Sequence, residues 1–308
     1  MSDGHAGNVR QVQALARALG IAVDREAVLQ PGWLARRLAP RCWPGATRAF
    51  GDEFATALRT PPQLAIGCGR QAALATRLLR ERGANAVQIL DPRIDPRHWN
   101  LVIAPEHDGL QGDNVIALLG SVHPVDEAWL AEARTRFAAF ARLPAPRTAV
   151  LLGGDSRHAR LDVTALSALL SQLERALARD GGSLLLTASR RTDPALYGSL
   201  RTFASRWPGV CWLGPADGEN PYPGLLAYAD RLVCTADSVN MVSEACATPA
   251  PVFVFDPGSV AGRPRRFLDA LLARGRIRPA DAELAPFAAE PLRETARVAT
   301  EVRRRLGL

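Results

Sequence analysis

Short apolar runs alternate along the chain with longer segments in which apolar residues recur every three or four positions. Runs of strand length in the first half occupy residues 64–66, 87–90, 101–104 and 115–119. Those of the second half occupy residues 148–152, 183–187, 210–213, 232–234 and 251–255. Because helix-like segments separate most of these runs, we predict an α/β fold whose parallel sheets are covered by helices.

Capping residues mark several of the predicted helices. Asp162 has the side chain of an N-cap, and the helix that follows it extends to Arg179, where the sequence DGG ends it. Asp193 precedes Pro194, and proline is favoured at the first position of a helix. These signals make the second half the more regular part of the predicted fold.

The proline-rich stretch LPAP at 143–146 has the composition of a linker between domains. We therefore predict an N-terminal Rossmann-like domain over 1–143 and a C-terminal one over 147–288, facing each other across a cleft. The final helix, within 289–308, is expected to return to the N-terminal domain. The glycine loop DGHAG follows only Met1 and Ser2, although such a loop normally follows a strand, so we expect the true start to lie upstream.

Composition limits the classes of protein to which the chain belongs. Apolar residues make up 47% of it and charged residues 22%, which is ordinary for a folded soluble protein. No apolar run approaches the roughly 20 residues that span a bilayer, and the N-terminus lacks the apolar core of a signal peptide. We therefore predict a cytoplasmic protein. The five cysteines form no CxxC pair and are interpreted as reduced core residues rather than metal ligands.

The basic side chains are all arginine, and the absence of lysine excludes Schiff-base chemistry and a P-loop lysine. The segment from Arg263 to Arg278 carries six arginines against Asp269. Such a cluster is compatible with contact to an anionic membrane, and equally with a solvated helix face and loop. No aromatic-interleaved basic stripe is found, so nucleic acid is not an expected partner.

Polar clusters follow nearly every predicted strand, and this is the edge at which open α/β sheets bind ligands. The cluster GGDSRH contains Gly153, Gly154 and Ser156, whose backbone and hydroxyl groups suit a phosphate. The cluster SRRT contains Arg190 and Arg191, which could neutralise a diphosphate. The alternatives are a simple Gly-Gly turn and at least one solvated arginine.

A short predicted helix, from about Ser238 to residue 247, follows the strand 232–234. Its apolar residues lie at core-facing spacing, while Ser243 and Glu244 lie on another face. A carboxylate one turn into such a helix can accept both hydroxyls of a ribose. The alternative is that Asp237 and Ser238 only cap the helix and that Glu244 is solvated.

Taken in chain order, a series of motifs resembles the mitochondrial fission ELM-type family from residue 3 to residue 258. The motifs are DGHAGN, IGCGR, LDPR, APEHD, LLGG, TASRRT, GENPY, LAYAD and CTADSVNMVSEA. This family is similar in turn to GT-B glycosyltransferases and to related nucleotide-sugar epimerases. The similarity implies that Glu244 takes the ribose, that Gly153, Gly154 and Ser156 take the phosphates, and that Ser238 lies near them. The family pattern often has another residue where His5 stands.

The resemblance favours a metal-independent glycosyltransferase with no cofactor. It would hold a nucleotide sugar in the C-terminal domain and an acceptor, lipid-linked at the inner face of the membrane, in the N-terminal one. Candidate bases for the acceptor hydroxyl are His5, Glu106, His107 and Asp108, of which a histidine suits neutral pH. The further residues expected to line the cleft are Asp3, Gly4, Gly7, Asn8, Gly69, Arg70, Glu219, Asn220, Asp237 and Ser243. Two alternatives remain: a non-catalytic binding or scaffold protein, and a GT-B-fold nucleotide-sugar epimerase.

Overall fold

The computed structural model describes residues 1–155 and 161–308, which divide into two compact units. Unit 1 consists of Met1–Pro124 and Glu294–Leu308, and unit 2 consists of Val125–Arg293. The division thus lies before the proline-rich stretch that we interpreted as a linker. The helix at Glu127–Arg136 belongs to unit 2, where the Arg134 guanidinium donates to the Ala227 carbonyl at 3.2 Å and the Tyr228 hydroxyl donates to the Arg134 carbonyl at 2.9 Å.

Unit 1 is built on a parallel sheet with the strand order β1-β2-β3-β4. Its strands are β1 (Leu64–Cys68), β2 (Asn85–Ile89), β3 (Leu101–Pro105) and β4 (Val115–Leu118). Its helices are α1 (Ala6–Leu19), α2 (Trp33–Leu38), α3 (Gly51–Arg59), α4 (Arg70–Arg80) and, at the end of the chain, α11 (Thr295–Leu306). The strands are almost entirely buried, as expected for a parallel sheet with helices on both faces.

Met1 and Ser2 lie in the strand position beside β1. The Met1 ammonium donates to the Ile66 carbonyl at 2.8 Å, and the Cys68 amide donates to the Met1 carbonyl at 3.1 Å. On the other side, the Leu29 amide donates to the Ser2 carbonyl at 2.8 Å. Burial lowers the pKa of the Met1 ammonium. The glycine loop that opens α1 therefore follows an extended segment of this sheet, although the sequence pattern indicated no strand there.

The last helix packs on the first within unit 1. Val298, Ala299 and Val302 of α11 share a buried cluster with Leu15 and Leu19 of α1. The Arg303 guanidinium donates to the Ala18 carbonyl at 2.6 Å near the C-terminus of α1. Just before α11, Glu294 accepts hydrogen bonds from the Leu119 amide at 2.7 Å and the Gly120 amide at 3.2 Å, directly after β4.

Unit 2 contains a six-stranded parallel sheet with the order β10-β9-β8-β5-β6-β7. Its strands are β5 (Arg147–Leu152), β6 (Ser183–Ala188), β7 (Gly209–Trp212), β8 (Arg231–Thr235), β9 (Val252–Phe255) and β10 (Ile277–Pro279). Its helices are α5 (Glu127–Arg136), α6 (Val163–Asp180), α7 (Tyr197–Ala204), α8 (Tyr222–Tyr228), α9 (Val239–Cys246) and α10 (Gly262–Ala273). The chain runs outward from β5 to β7 and then returns to β8, so the order reverses between β5 and β8. Ligands of doubly wound sheets bind outside the strand ends at such a point.

Local sequence signals account for the helix ends of unit 2. The Asp162 carboxylate accepts the Ala165 amide at 2.9 Å, which confirms its prediction as the N-cap of α6. The Asp193 carboxylate accepts the Ala195 amide at 2.9 Å and opens the turn that precedes α7. Each cap satisfies a backbone donor that has no partner inside the helix.

The cysteines are free thiols, but only Cys68, Cys234 and Cys246 are buried. Cys42 is exposed and Cys211 half-buried, so the prediction of core positions is wrong for Cys42. Burial raises the pKa of the Cys246 thiol to about 12. Among residues 1–155 and 161–308, no helix is long and apolar enough to cross a membrane.

Several arginines between Arg263 and Arg278 make contacts within unit 2. The Arg276 guanidinium is buried and donates to the carbonyls of Cys246 at 3.0 Å and Thr248 at 2.8 Å. Arg278 lies 4.4 Å from the ring centroid of Phe287, and Arg265 pairs with Asp269 at 2.7 Å. This segment therefore combines structural arginines with a partly solvated helix face.

Candidate functional site

The Asp237 carboxylate joins three segments at the carboxyl edge of the unit 2 sheet. It accepts the Thr235 hydroxyl at 2.6 Å at the end of β8 and the Gly154 amide at 3.0 Å after β5. It also pairs with the Arg191 guanidinium at 2.6 Å in the loop after β6. The Asp237 side chain is only 4% exposed, so this charge lies inside the turn rather than on its surface.

Gly153 and Gly154 permit this close packing. A Cβ at Gly153 would lie 2.0 Å from Oδ1 of Asp237, and one at Gly154 would lie 2.0 Å from the Arg191 carbonyl oxygen. The Gly153 amide donates to the Thr235 hydroxyl at 2.7 Å, so the amides of both glycines have acceptors within the protein. Ser156, the third predicted phosphate ligand, lies outside the described residues.

The two adjacent arginines after β6 differ in their surroundings. The Arg191 amide donates to the Ser189 hydroxyl at 3.1 Å, and its guanidinium reaches the Asp155 carbonyl at 3.3 Å in addition to Asp237. The Arg190 side chain is exposed. One arginine is thus fixed against the turn after β5, while the other extends into solvent at the same edge.

The helix α9 begins where β8 ends. Ser238 is its N-cap and accepts the Met241 amide at 3.4 Å, as predicted. Ser243 and Glu244 are both buried, so the alternative of a solvated Glu244 is wrong. Oε2 of Glu244 accepts the Tyr222 hydroxyl at 2.5 Å.

Tyr222 was not among the predicted site residues, although it belongs to the GENPY motif. The Asn220 side-chain oxygen accepts the Tyr222 amide at 3.0 Å and so shapes the turn that opens α8. Glu219 instead pairs with Arg136 on α5. The signal that could have identified Tyr222 is a hydroxyl-bearing aromatic at the start of a buried helix, which requires a polar partner.

A depression lies beside this network at the ends of β5, β8 and β9. Apolar side chains form one part of its lining and polar side chains the other. The lining residues with side chains are Leu161, Ala165, Thr235, Ala236, Asp237, Phe255, Asp256 and Ser259. Asp256 follows β9 with a φ of 42°, a left-handed conformation that aspartate tolerates better than most residues. Sequence reasoning did not select it.

The glycine loop of unit 1 brings three predicted residues together. Oδ1 of Asp3 accepts the Asn8 side-chain amide at 2.9 Å and the His5 amide at 3.1 Å. Nδ1 of His5 lies 3.1 Å from the same oxygen, and the His5 side chain is 81% exposed. Gly69 has a φ of 88°, and a Cβ there would lie 2.7 Å from Nδ2 of Asn8. Gly4 belongs to the same loop, and Gly7 lies in the first turn of α1.

The other candidates of unit 1 lie in two further places. The Arg70 guanidinium donates to the carbonyls of Ala39 at 2.5 Å and Arg36 at 2.9 Å, at the C-terminal end of α2. The short helix Glu106–Asp108 follows β3, and Nε2 of His107 lies 4.0 Å from Oδ1 of Asp108. The side chains of His107 and Asp108 are largely buried, whereas Glu106 is exposed.

Each of the two units contains a parallel sheet with polar residues at its strand ends. This GT-B-like architecture is that of the glycosyltransferases and epimerases of the same fold. The UDP-GlcNAc 2-epimerase of Methanocaldococcus jannaschii matches with a TM-score of 0.63 at 11% identity, covering 97% of each chain. MnaA of S. aureus matches with a TM-score of 0.54 at 11% identity, covering 100% of this chain and 96% of the other. MurG of Acinetobacter baumannii matches with a TM-score of 0.51 at 14% identity, covering 100% and 91%. These likenesses establish the fold.

Within this class, the chain belongs to the mitochondrial fission ELM1 family, whose model matches residues 6–306. It is 30% identical over 277 residues to the mitochondrial fission protein ELM1 of Arabidopsis thaliana, covering 80% of this chain and 64% of that protein. It is 24% identical over 239 residues to the uncharacterized protein RP120 of Rickettsia prowazekii, covering 65% of this chain and 66% of that protein. The matches therefore span less than two thirds of both relatives, and they confirm the family inferred from the motifs.

Proposed function

We propose that the protein is a GT-B-type glycosyltransferase that binds a nucleotide sugar in unit 2. The observation that carries the proposal is the set of groups around the β5–β8 switch point. The helix α9 follows β8 and supplies both its N-terminus and the Glu244 carboxylate. The Arg191 guanidinium comes from the loop after β6, the strand beside β5. Cations and helix N-termini stabilise phosphate charge, and a carboxylate can accept ribose hydroxyls.

The nucleotide is assigned to residues of unit 2 as follows. Glu244 accepts the ribose hydroxyls, with Tyr222 holding its carboxylate in a fixed orientation. Arg190, Arg191 and the N-terminus of α9 at Ser238 neutralise the diphosphate. The solved structure of MnaA contains UDP, which makes a uridine nucleotide the first one to test. Contacts from Gly153 and Gly154 to a phosphate remain a prediction, because they require Asp237 and Thr235 to release the two amides.

The acceptor is assigned to the glycine loop of unit 1. Glycosyl transfer requires a base that removes the proton of the acceptor hydroxyl while the nucleoside diphosphate departs. Among the four candidate bases, His5 combines exposure with a carboxylate partner, since Asp3 lies against its Nδ1. Such a pairing orients an imidazole, as in other histidine–carboxylate pairs. His107 and Asp108 are the next candidates, and Glu106 the last.

We retain a lipid-linked acceptor at the inner face of the membrane as part of this proposal. Of the arginines from Arg263 to Arg278, Arg276 is buried, so the ones to test for lipid contact are the other five. Sedimentation with anionic vesicles tests this contact: Arg263→Gln together with Arg266→Gln should lower the bound fraction. An unchanged bound fraction would remove this segment from the proposal.

A calorimetric binding screen with UDP-, GDP-, ADP- and CMP-sugars tests the donor site. The expected result is binding of one nucleotide class that Glu244→Ala abolishes or strongly weakens. If no nucleotide sugar binds, or if Glu244→Ala binds as wild type does, the transferase is excluded and the non-catalytic binding or scaffold role becomes the better hypothesis.

A second candidate is an epimerase acting on the nucleotide sugar itself, favoured by the TM-score of 0.63 to the UDP-GlcNAc 2-epimerase. The two reactions differ in their need for an acceptor. NMR of the sugar would detect an isomerised product without any acceptor for the epimerase, and an unchanged sugar for the transferase.

A further inference from the structure

Large apolar side chains are exposed mainly in one short part of unit 1. Across residues 1–155 and 161–308, the exposed large hydrophobic residues are Val23, Val28, Trp33, Leu34, Val163 and Leu308. Four of these six lie between positions 23 and 34. Trp33 is the most exposed of all at 74%, and Leu34 beside it is 45% exposed. Exposed apolar side chains that lie together mark interaction sites, and Trp33 and Leu34 are neighbours at the start of α2.

The segment that carries Trp33 is fixed to the unit from its inner side. Ala35 and Ala39 are buried, and Ala39 packs in the cluster that includes Phe54 and Leu58 of α3. The Arg70 guanidinium donates to the carbonyls of Arg36, Arg37 and Ala39 at 2.9, 2.5 and 2.5 Å. These bonds satisfy the C-terminal carbonyls of α2. The outward position of Trp33 is therefore a property of a packed helix, not of a loose loop.

The segment that contains α2 carries only positive charges, although Asp24 and Glu26 precede it and Asp52 and Glu53 follow it. Residues 27–51 contain Arg36, Arg37, Arg41 and Arg48 and no aspartate or glutamate. All four arginines are exposed, and in the described part of the chain none of them has an ion-pair partner. Arg36 and Arg37 follow Trp33 by three and four positions, so the helix brings them to the same face as the indole ring.

We propose that this α2 surface, defined as Trp33, Leu34, Arg36, Arg37 and Arg41, docks on an anionic lipid bilayer. Tryptophan favours the interface between headgroups and acyl chains, where its ring is buried and its N–H remains hydrated. Arginines beside it contact lipid phosphates, and each one near an anionic surface strengthens binding about fivefold. The surface is distinct from the Arg263–Arg278 segment and lies on the other unit. It does not depend on nucleotide binding.

Sedimentation of the full chain with vesicles tests the α2 surface. Binding is expected to vesicles of phosphatidylcholine mixed with phosphatidylglycerol, and to be much weaker with phosphatidylcholine alone. Arg36→Gln with Arg37→Gln should weaken binding about 25-fold, and Trp33→Ala with Leu34→Ala should weaken it on the order of tenfold. Because all four side chains are exposed, thermal unfolding of these variants should match wild type.

Two controls are matched to these changes. Arg142→Gln with Arg175→Gln removes the same charge from exposed positions of unit 2 outside the Arg263–Arg278 segment, and Val163→Ala removes an exposed apolar side chain from unit 2. A second readout is tryptophan fluorescence, whose blue shift on adding anionic vesicles should disappear in Trp33→Phe with Arg36→Gln and Arg37→Gln.

Three outcomes would overturn the proposal. The first is equal binding by wild type and both α2-surface double variants. The second is loss of binding only in the Arg263 and Arg266 variant. The third is self-association in analytical ultracentrifugation that Trp33→Ala abolishes, without any binding to vesicles, which would make the surface a contact between copies of this chain.

Discussion

The Tyr222 hydroxyl at the start of α8 donates a 2.5 Å hydrogen bond to Oε2 of Glu244, one turn into α9. Both side chains are buried, so the bond is shielded from competing water. A hydrogen bond to a charged acceptor is stronger than a neutral one and fixes the carboxylate plane. If Glu244 accepts ribose hydroxyls, Tyr222 determines the geometry in which it does so.

Tyr222→Phe should therefore weaken UDP binding about threefold to tenfold. The matched control is Tyr228→Phe in the same helix, which removes a 2.9 Å hydrogen bond to the Arg134 carbonyl and leaves Glu244 unchanged. Calorimetry with UDP and with its 2′,3′-dideoxy analogue separates the two roles of Tyr222. An orienting role reduces the affinity for UDP alone. Equal weakening for both ligands would indicate a structural role only.

Most of the architecture could be predicted from the spacing of apolar residues. The predicted run 101–104 corresponds to β3 (Leu101–Pro105), and the run 148–152 to β5 (Arg147–Leu152). The boundary between the units could not be predicted from the sequence. The prolines at 143–146 resemble a linker, whereas α5 is fixed to α8 by contacts between residues far apart in the chain. The strand order could not be predicted either, because the pairing of parallel strands such as β5 and β8 does not depend on any local sequence pattern.

The candidate site was predicted residue by residue, but its connections were not. Asp237, Gly154 and Arg191 were each selected, yet the carboxylate joins them across a long stretch of chain. Arg70 and Arg276 were read as surface or ligand charges, whereas both donate to main-chain carbonyls. A guanidinium that binds backbone carbonyls requires no complementary side chain, so no sequence pattern reveals it.

Gly153→Ala should disrupt the Asp237 network. The new Cβ would stand 2.0 Å from Oδ1 of Asp237, so the carboxylate must leave the turn and lose its bonds to Thr235 and Gly154. We expect a loss of roughly 2–4 kcal/mol in the free energy of unfolding, measured by chemical denaturation. Gly198→Ala in α7 is the control, because nothing lies within 4 Å of its Cβ position. It should be neutral or stabilising, and equal destabilisation by both changes would contradict the role given to Gly153.

Arg190→Gln and Arg191→Gln should differ in their effects. Arg191 pairs with the buried Asp237 carboxylate, so its loss should lower both the unfolding temperature and the affinity for a nucleoside diphosphate. Arg190 is exposed, so its loss should reduce that affinity alone, by an amount that shrinks at high salt. Unchanged diphosphate affinity in both variants would remove the SRRT loop from the proposed site.

Asp180 links the end of α6 to the start of β8 and should make stability depend on pH. Hydrogen bonds from Arg179 and Arg231 lower its pKa to about 2. The Arg231 side chain is only 8% exposed and donates to Asp180 at 2.6 Å. An unfolded aspartate has a pKa of about 3.9, so this stabilisation is complete above pH about 5 and is lost as the pH falls towards 2.

Asp180→Asn should therefore cost about 1–2 kcal/mol at neutral pH, measured by urea denaturation. The difference between wild type and this variant should shrink as the pH is lowered from about 5 to 2, because the wild-type carboxylate then becomes protonated. The control is Asp269→Asn, because Asp269 and its partner Arg265 are both exposed. This change should alter the free energy of unfolding by less than about 0.5 kcal/mol at every pH in this range. A difference between wild type and Asp180→Asn that stays constant over this pH range would show that the charge of Asp180 does not stabilise the fold.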